Sequence, residues 1–324
     1  MHRARAAFVL INRFLPLLCF FALIQPAFPW GAQGHQAVGE VAKTLLTPKT
    51  RAKIIEILDN DDLASVSTWL DDVRNLSKHH TGPLKYDEEA KAFNKQHPTN
   101  ERWHYVNLPV GYTIYAPDSP FSSPDDVVHA IQNTVSVLEG ESKQFTKIQA
   151  LRILVHLVAD VHQPLHTVAG YFDCTDTTQP KLINNPLLAL KYPSDRGGNQ
   201  LFYTKTLELH ALWDVKLVIK LAHSKEPGSL AAILTKDCTV EMFKTPGDYH
   251  TWPAKWVSDS AKEAIAAYNG LIFGPVSLKA GGMIERMETL PPKDYDEQQI
   301  PRVKTQLEKS AVHLAQLLNS VRFK

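Results

Sequence analysis

Apolar residues recur at three- and four-residue spacing along most of the chain. This period places apolar side chains on one face of a helix, so it predicts an amphipathic α-helix wherever it is sustained. Two-residue alternation, which indicates a strand, is sparse and is strongest at 199–205, directly after Gly197 and Gly198. The pattern therefore predicts a mainly α protein with at most a short β-hairpin, and with helices at 35–46, 48–58, 62–73, 125–139, 145–163, 206–223, 251–269 and 301–320.

Three long stretches lack a sustained period and are polar or rich in proline and glycine. We predict that these stretches, 77–102, 171–198 and 274–300, are loops. The chain shows no internal repeat and no low-complexity tract. The sequence after residue 29 therefore predicts a single helical domain, 30–324, with long connecting loops.

The first 29 residues have a different pattern. Arg3, Arg5 and Arg13 precede an apolar run from Phe14 to Ile24, and small residues follow. This order of charged, apolar and small residues is typical of a secretory signal peptide. The run is too short to cross a bilayer core of about 30 Å, and no later segment is long and apolar enough to do so. We therefore predict a signal peptide at 1–29, a secreted or periplasmic location, and no membrane span.

The charge balance excludes one common mode of nucleic-acid binding. The chain has a formal net charge of +1 at pH 7, and 1–29 contain three arginines and no acidic residue. The expected mature protein is therefore slightly negative, whereas proteins that hold nucleic acid through lysine and arginine patches alone are strongly basic. Binding of a polyanion would need another source of positive charge, such as metal cations in a cleft.

Two of the three cysteines, Cys174 and Cys238, remain after removal of the signal peptide, which contains Cys19. An even pair in an exported protein predicts a disulfide. The alternative is two unpaired buried thiols. Neither cysteine has the close spacing of a cysteine-based zinc site.

The densest cluster of candidate ligands is the segment HLVADVHQPLH. Its first histidine, His156, is four residues from Asp160, so a helix projects both side chains from the same face. Pro164 should end or kink this helix, because proline lacks an amide hydrogen and clashes with the preceding turn. The kink can bring His166 towards the same site. His162 lies far from that face and is left out of the predicted site.

A second pair, His210 and Asp214 in LHALWD, has the same spacing on a helical pattern. Two such pairs on separate helices, with a further histidine, offer nitrogen and oxygen ligands that suit zinc. Each pair alone also fits a structural His–Asp hydrogen bond, but together they favour a metal site. A carboxylate can bridge two cations, and closely spaced divalent ions lower the pKa of a shared water and neutralise a phosphoryl group.

Six segments resemble, in order, those of the S1/P1 nucleases, a family of exported zinc-dependent enzymes: WGAQGH, WLDDVR, WHYVNLP, LVHLVADVHQPLH, GGN and LHALWD. They extend from residue 30 to residue 214, and 215–324 carry no motif that can be assigned. The resemblance implies a mainly α fold of the phospholipase C/P1 nuclease type with three Zn²⁺ ions in a cleft. It also implies hydrolysis of single-stranded RNA and DNA to 5′-phosphate products, with accompanying 3′-nucleotidase activity left open.

The resemblance assigns nine residues to three zinc ions. The three sets are Asp71, His104, His156 and Asp160; the α-amino and carbonyl groups of Trp30 with His35 and a shared Asp160; and His166, His210 and Asp214. The second set requires Trp30 to be the mature amino terminus, and Pro29 is unfavourable for signal peptidase at that position. His79 and His80, in the long gap before His104, are alternative ligands.

The resemblance also implies catalytic and substrate-binding residues. Asp71 would orient or deprotonate the attacking water, and Arg74 would stabilise the transition state. Tyr105 would stack on an unpaired base, a contact that tolerates any sequence and favours single strands. Asn107 stands where fungal members have an aspartate that bonds the base, so base preference stays open. Asn199 in GGN resembles a nucleoside-pocket residue. Alternatively, Tyr105 is an ordinary core tyrosine and Asn199 an ordinary turn asparagine.

Two other functions fit the same metal ligands. Bacterial zinc-dependent phospholipase C resembles this family in fold and site, but has Glu where this chain has Asp214, and Tyr105 also favours a nuclease. A non-catalytic exported zinc-binding protein is the other alternative. Arg74 beside Asp71 argues against it, because a closed structural zinc site needs no transition-state cation. We therefore expect a zinc-dependent nuclease that acts on single-stranded RNA and DNA and on nucleotides, with no obligate protein partner.

Overall fold

The computed structural model describes residues 30–59, 61–79, 87–223, 228–236 and 238–324. The predicted signal peptide, 1–29, lies outside the described residues. Within these ranges the α-helices are α1 (Gly31–Thr44), α2 (Pro48–Leu58), α3 (Trp69–His79), α4 (Asp87–Gln96), α5 (Val127–Leu138), α6 (Lys147–Asp160), α7 (Pro186–Ala189), α8 (Leu209–Ala211), α9 (Leu217–Ala222), α10 (Ser229–Thr235), α11 (Val240–Phe243), α12 (Trp252–Tyr268) and α13 (Tyr295–Ser320).

The strands are few and mostly very short. They are β1 (Leu108–Pro109), β2 (Val168–Ala169), β3 (Phe172–Asp173), β4 (Lys181–Leu182), β5 (Leu201–Phe202), β6 (Ile272–Leu278) and β7 (Ile284–Leu290). β1 pairs with β2 in parallel, β3 pairs with β4 antiparallel, and the third sheet has the order β5-β7-β6. The prediction of a mainly α fold is confirmed.

Helix α6 is the centre of the fold. A capping box fixes its start: the Thr146 side chain accepts from the backbone of Gln149, and the Gln149 side chain accepts from the backbone of Thr146. Every residue from Ala150 to Asp160 is buried, because α1, α2, α3, α5 and α13 pack around the helix. A helix enclosed in this way has no solvent-facing side. The histidine and carboxylate in its last turns are therefore buried as well.

Helix α6 ends at Asp160, and Pro164–His166 forms a separate 3₁₀ helix after a turn. The Gln163 side chain accepts a hydrogen bond from Leu165 N and caps this second helix. The predicted break at Pro164 is confirmed, and it turns His166 back towards the end of α6.

Most predicted helices lie where the hydrophobic period places them, and α2 matches 48–58 at both ends. The interval 62–73 is the exception, because α3 begins only at Trp69. Asp62 Oδ1 accepts from Ser65 N and Ser65 Oγ bonds back to Asp62 O. Such short side-chain bonds to the backbone favour turns over helix, so the helix starts later than the apolar spacing indicates.

Two of the loop predictions are wrong. The stretch 77–102 contains α4, which buries Ala90 and Phe93 at three-residue spacing. The stretch 274–300 contains most of the β6–β7 hairpin. Gly274 and Pro275 interrupt the sequence of β6, and the register shifts beyond Phe273. Such bulged strands lack the regular alternation that identifies a strand in sequence.

The predicted disulfide is also wrong, because Cys174 and Cys238 are both free. Cys174 Sγ donates to Phe172 O at 3.6 Å, whereas Cys238 Sγ donates to Glu308 O on α13 at 3.9 Å. Burial raises the pKa of Cys238 to about 11, so this thiol stays protonated at neutral pH. Among the described helices, none combines the length and the apolar composition needed to cross a membrane.

Candidate metal centre and substrate cleft

The last two turns of α6 supply the central pair of the site. His156 and Asp160 are fully buried, with His156 Nε2 at 3.2 Å from Asp160 Oδ2. His156 Nδ1 lies 2.7 Å from the carbonyl oxygen of Ser67 and donates to it. This bond fixes the ring and leaves Nε2 to face the carboxylate, an arrangement typical of a metal-binding histidine.

Three further side chains converge on this pair from separate elements. His104 Nδ1, after the 3₁₀ helix Asn100–Arg102, lies 2.9 Å from Asp160 Oδ2. His35 Nε2, on α1, lies 3.4 Å from Asp160 Oδ1. Asp71 Oδ1, on α3, lies 3.8 Å from His156 Nε2. They form two overlapping groups whose ligand atoms lie within 4.8 Å of one another: His35, Asp71 and His156, and His104, His156 and Asp160.

A third group consists of His166, His210 and Asp214, the set that the sequence places together. His210 Nε2 is 3.1 Å from Asp214 Oδ2, and His166 Nε2 is 3.9 Å from Asp214 Oδ1. Backbone carbonyls hold the other ring nitrogens: His166 Nδ1 donates to His104 O at 2.8 Å, and His210 Nδ1 to Gly197 O at 2.7 Å. His166 Nδ1 also lies 3.9 Å from Asp160 Oδ1, so this group adjoins the first two.

Asp214 lies in a π-helical turn, Leu212–Lys216, between α8 and α9. Such turns are rare in proteins, and those that occur often lie at functional sites. Gln163 Nε2 donates to Asp214 Oδ1 at 2.6 Å and holds the carboxylate in place. Gln163 is not among the predicted site residues, because a glutamine before a proline carries no distinctive signal in sequence.

Several buried nitrogens of the site have no hydrogen bond within the described part of the chain: both ring nitrogens of His35, and Nε2 of His104 and of His166. A buried polar atom without a partner costs about 1–3 kcal/mol. Neutral imidazole nitrogens beside carboxylates are the donor set that Zn²⁺ prefers. The residues present therefore fit divalent metal ions, which would satisfy these nitrogens together.

The titration behaviour of the site follows from its burial and its charges. Burial alone would lower the pKa of His156, but the carboxylates of Asp160 and Asp71 raise it to about 9. Burial also lowers the pKa of His104. For this residue the effect of burial outweighs that of the Asp160 carboxylate, so the pKa falls to about 4. A proton and a metal cation therefore compete for the same nitrogen of His156.

A cleft of about 520 Å³ opens over the ligand groups. Its lining includes His104, His166 and His210, together with the predicted residues Arg74, Tyr105, Asn107 and Asn199. Arg74 Nη2 pairs with Asp71 Oδ1 at 2.8 Å. The structure thus brings Arg74 and the three expected substrate-binding residues to one cavity, and Asp71 adjoins it through its pair with Arg74.

The aromatic and amide residues of the cleft have defined positions. Tyr105 is 38% exposed, so its ring is not part of the core. Asn107 lines the cleft, and its backbone carbonyl oxygen accepts from Tyr171 Oη at 3.1 Å. Asn199 Nδ2 donates to Arg196 O at 2.7 Å, so this side chain also stabilises its own turn.

Asp195 is a second residue that the sequence analysis missed. It is fully buried; Oδ1 accepts from Gly170 N at 3.0 Å and Gly198 N at 3.1 Å, and Oδ2 accepts from Tyr268 Oη at 2.8 Å. These bonds fix the turn whose Gly197 carbonyl orients His210. An acidic residue before a glycine pair indicates only a turn in sequence, so its distant partners were not predictable.

His162 lies outside the centre, in a separate buried pair with His313. His162 Nε2 and His313 Nδ1 are 2.6 Å apart in a buried pair, and the ring of Trp256 stacks on His313. This position agrees with the exclusion of His162 from the predicted site. The side chains of the alternative ligands His79 and His80 lie outside the described residues.

The fold and site define a mainly α protein with three His/Asp groups that could hold metal ions at the floor of a cleft. The family model S1/P1 Nuclease matches residues 30–322, and the chain belongs to this family. It is 25% identical to Endonuclease 2 of Arabidopsis thaliana over 314 residues, which cover 90% of each chain. It is 26% identical to Nuclease S1 of Aspergillus oryzae over 256 residues, which cover 75% of this chain and 73% of that one. It is 28% identical to Nuclease P1 of Penicillium citrinum over 144 residues, 43% and 48% of the two chains.

The turn at Gly197 gives a first testable prediction. Gly197 has φ +64°, and an added Cβ would lie 2.3 Å from Leu165 O. Gly197→Ala should therefore lower the free energy of unfolding and displace the carbonyl that holds His210. Gly111→Ala is the matched control, since Gly111 has φ +89° with nothing within 4 Å of the added Cβ. Its free energy of unfolding should fall only by the cost of a left-handed alanine, about 1–2 kcal/mol. Urea unfolding of both variants measures the difference, and an equal loss would contradict this account.

The charge of His156 gives a second prediction, for protein kept in a metal chelator. Its pKa of about 9 lies above the usual value of 6.5. Stability contributed by the protonated ring is therefore fully present below pH 6.5 and is lost as the pH rises through about 9. Urea unfolding should give a lower free energy at pH 9.5 than at pH 6.5. Excess zinc or the variant His156→Gln should reduce this fall in the free energy of unfolding. A free energy of unfolding that increases towards pH 9.5 in chelator would refute the contribution of protonated His156.

Proposed function

We propose that this protein is an exported zinc-dependent nuclease that hydrolyses single-stranded RNA and DNA to 5′-phosphate products. The observation that carries the proposal is the position of three adjoining His/Asp groups at the floor of a cleft that also contains Arg74 and Tyr105. Membership of the S1/P1 nuclease family supports nucleic acid as the substrate.

Three zinc ions would be held by the ligand sets that the resemblance implies. Asp71, His104, His156 and Asp160 would hold one ion, and His166, His210 and Asp214 another. When bound, zinc supplies a Lewis acid that lowers the pKa of water and neutralises charge on a phosphate. This charge would also compensate for the slightly negative net charge of the expected mature chain.

The third ion would depend on Trp30. Trp30 is fully buried, and its indole Nε1 donates to Ala159 O at 2.8 Å, next to Asp160. If signal peptidase cleaves after Pro29, the new α-amino group and the Trp30 carbonyl oxygen complete a ligand set with His35 and Asp160. We propose this cleavage, and with it a mature domain of 30–324; amino-terminal sequencing of exported protein tests it directly.

Asp71 and Arg74 would have different roles in phosphodiester hydrolysis. Water attacks phosphorus, the bond to the 3′ oxygen breaks, and the phosphate stays on the 5′ side. Asp71 would orient the water and accept its proton, a role supported by its carboxylate facing both His156 and Arg74. The Arg74 guanidinium would neutralise the charge that develops on the phosphoryl oxygens.

Substrate preference follows from the walls of the cleft. The exposed part of the Tyr105 ring offers a stacking surface for one base, and stacking requires a base that is free of its duplex partner. The Asn107 amide both donates and accepts, so it can bond more than one base edge. We therefore expect a preference for single strands with little discrimination between bases.

The experiment that tests the function is release of nucleotides from heat-denatured DNA by zinc-loaded protein. We expect release that a chelator abolishes, slower release from duplex DNA, and products with 5′-phosphates. Asp160→Ala should lose most of its zinc and at least a thousandfold in rate, because this carboxylate contacts histidines of all three groups. Asp259→Ala, which removes a surface partner of Lys309, is the matched control and should keep both. No release by fully zinc-loaded protein would refute the proposal, and phosphatidylcholine hydrolysis would then be the next assay.

A further inference from the structure

Arg196 has an unusual backbone for its residue type. Its φ is +57°, the left-handed region that glycine adopts at little cost and other residues adopt rarely. Four non-glycine residues have positive φ in the described parts of the chain, and Arg196 is the one among them that lines the cleft. Strained residues of this kind persist where the surrounding structure holds them, and they cluster at functional sites.

The surrounding turn holds Arg196 from both sides. On the preceding side, the Asp195 carboxylate is anchored by Gly170 N, Gly198 N and Tyr268 Oη. On the following side, the Asn199 side chain donates to Arg196 O at 2.7 Å. A glycine would fit this conformation without strain, as the neighbouring Gly197 and Gly198 do at φ +64° and +80°. The backbone alone therefore gives no reason for an arginine at this position.

The side chain of Arg196 is available to a ligand. The residue is exposed and lines the same cavity as Tyr105 and Arg74, and its guanidinium forms no hydrogen bond or ion pair with the described part of the chain. Burial raises the pKa of Tyr105, and the nearby positive charges of Arg102 and Arg196 oppose this rise. Arg196 thus brings an unpaired guanidinium close to the ring on which a base would stack.

We propose that Arg196 is a specificity-determining residue that binds a backbone phosphate next to the one being hydrolysed. The inference rests on the proposed nuclease function and extends it from one nucleotide to the strand. Arg74 is occupied by its ion pair with Asp71 at the ligand groups, whereas Arg196 lines the same cleft from the 194–199 turn. A guanidinium binds phosphate through two parallel hydrogen bonds. The contact favours polynucleotides over short substrates that lack a flanking phosphate.

The test uses two thymidine tetranucleotides and zinc-loaded protein. One has three ordinary phosphodiesters; the other has a central phosphodiester flanked by neutral methylphosphonates. Wild-type protein should have roughly a fivefold higher KM for the neutral-flanked substrate, at similar kcat, because one charged contact is lost. Arg196→Gly should raise KM for the charged substrate by a similar factor and leave the neutral-flanked substrate unchanged. For Arg196→Gly, the slope of log KM against log salt concentration should also be smaller, by about 0.7, because one single-strand phosphate contact is lost.

Two controls and one independent readout separate this role from a structural one. Lys191→Ala removes the same charge from a nearby exposed position that does not line the cleft, and should leave both KM values unchanged. Arg196→Lys should restore part of the preference. Thermal unfolding of Arg196→Gly should show a Tm at or above that of wild type, since glycine relieves the left-handed strain.

The outcomes distinguish the two proposals. Wild-type protein that hydrolyses neither substrate contradicts the proposed function. Wild-type activity on both, with equal KM values for the charged and neutral-flanked substrates, contradicts the role of Arg196 alone. So does a fall in kcat on both substrates in Arg196→Gly with KM unchanged, since that pattern belongs to a group that acts on the reacting phosphate.

Discussion

The structure depends on the burial of one carboxylate. Asp160 is fully enclosed at the end of α6, and four imidazoles face it, with nitrogen–oxygen distances of 2.9 Å to His104, 3.2 Å to His156, 3.4 Å to His35 and 3.9 Å to His166. A buried charge without compensation costs several kcal/mol. The four histidines come from α1, α6, the segment after Asn100–Arg102 and the 3₁₀ helix at Pro164. The compensation of one charge therefore joins distant parts of the chain.

The same arrangement accounts for the chemistry that we propose. Imidazoles facing a carboxylate at these distances can be stabilised by a shared proton or by metal cations. Both ring nitrogens of His35 and Nε2 of His104 and His166 have no hydrogen-bond partner among the described residues, which fits metal cations. Cations at this position would give a chain with little net charge a strongly positive floor to its cleft. Arg74 and Arg196 would then bind different parts of a strand: one near the reacting phosphate, the other near a neighbour.

Much of this architecture could be predicted from the sequence, for reasons that differ by element. The helical hydrophobic period predicts the bounds of α2, α5 and α12 closely. The four-residue spacing of His156 with Asp160, and of His210 with Asp214, predicts that each pair shares one helix face. Pro164 identifies the break that returns His166. The family resemblance supplied what spacing could not, namely that His35, Asp71 and His104 meet the same pair from other elements.

The parts that could not be predicted depend on contacts between residues distant in sequence. β6 carries Gly274 and Pro275, so its pairing with β7 is invisible to local pattern. Gln163 acts through a hydrogen bond to Asp214, and Asp195 acts through bonds from Gly170, Gly198 and Tyr268. Neither residue type at those positions indicates such a role. The expected disulfide was inferred from cysteine parity alone, which says nothing about where each thiol packs.

The central claim is that the buried groups around Asp160 are metal ligands. An anomalous difference map, recorded at the zinc absorption edge from crystals of the exported protein, tests it most directly. We expect three peaks: one near His104, His156 and Asp160, one near His35 and Trp30, and one near His166, His210 and Asp214. A map from zinc-supplied crystals without peaks at these groups, in which the imidazoles bond only one another and Asp160, would contradict it.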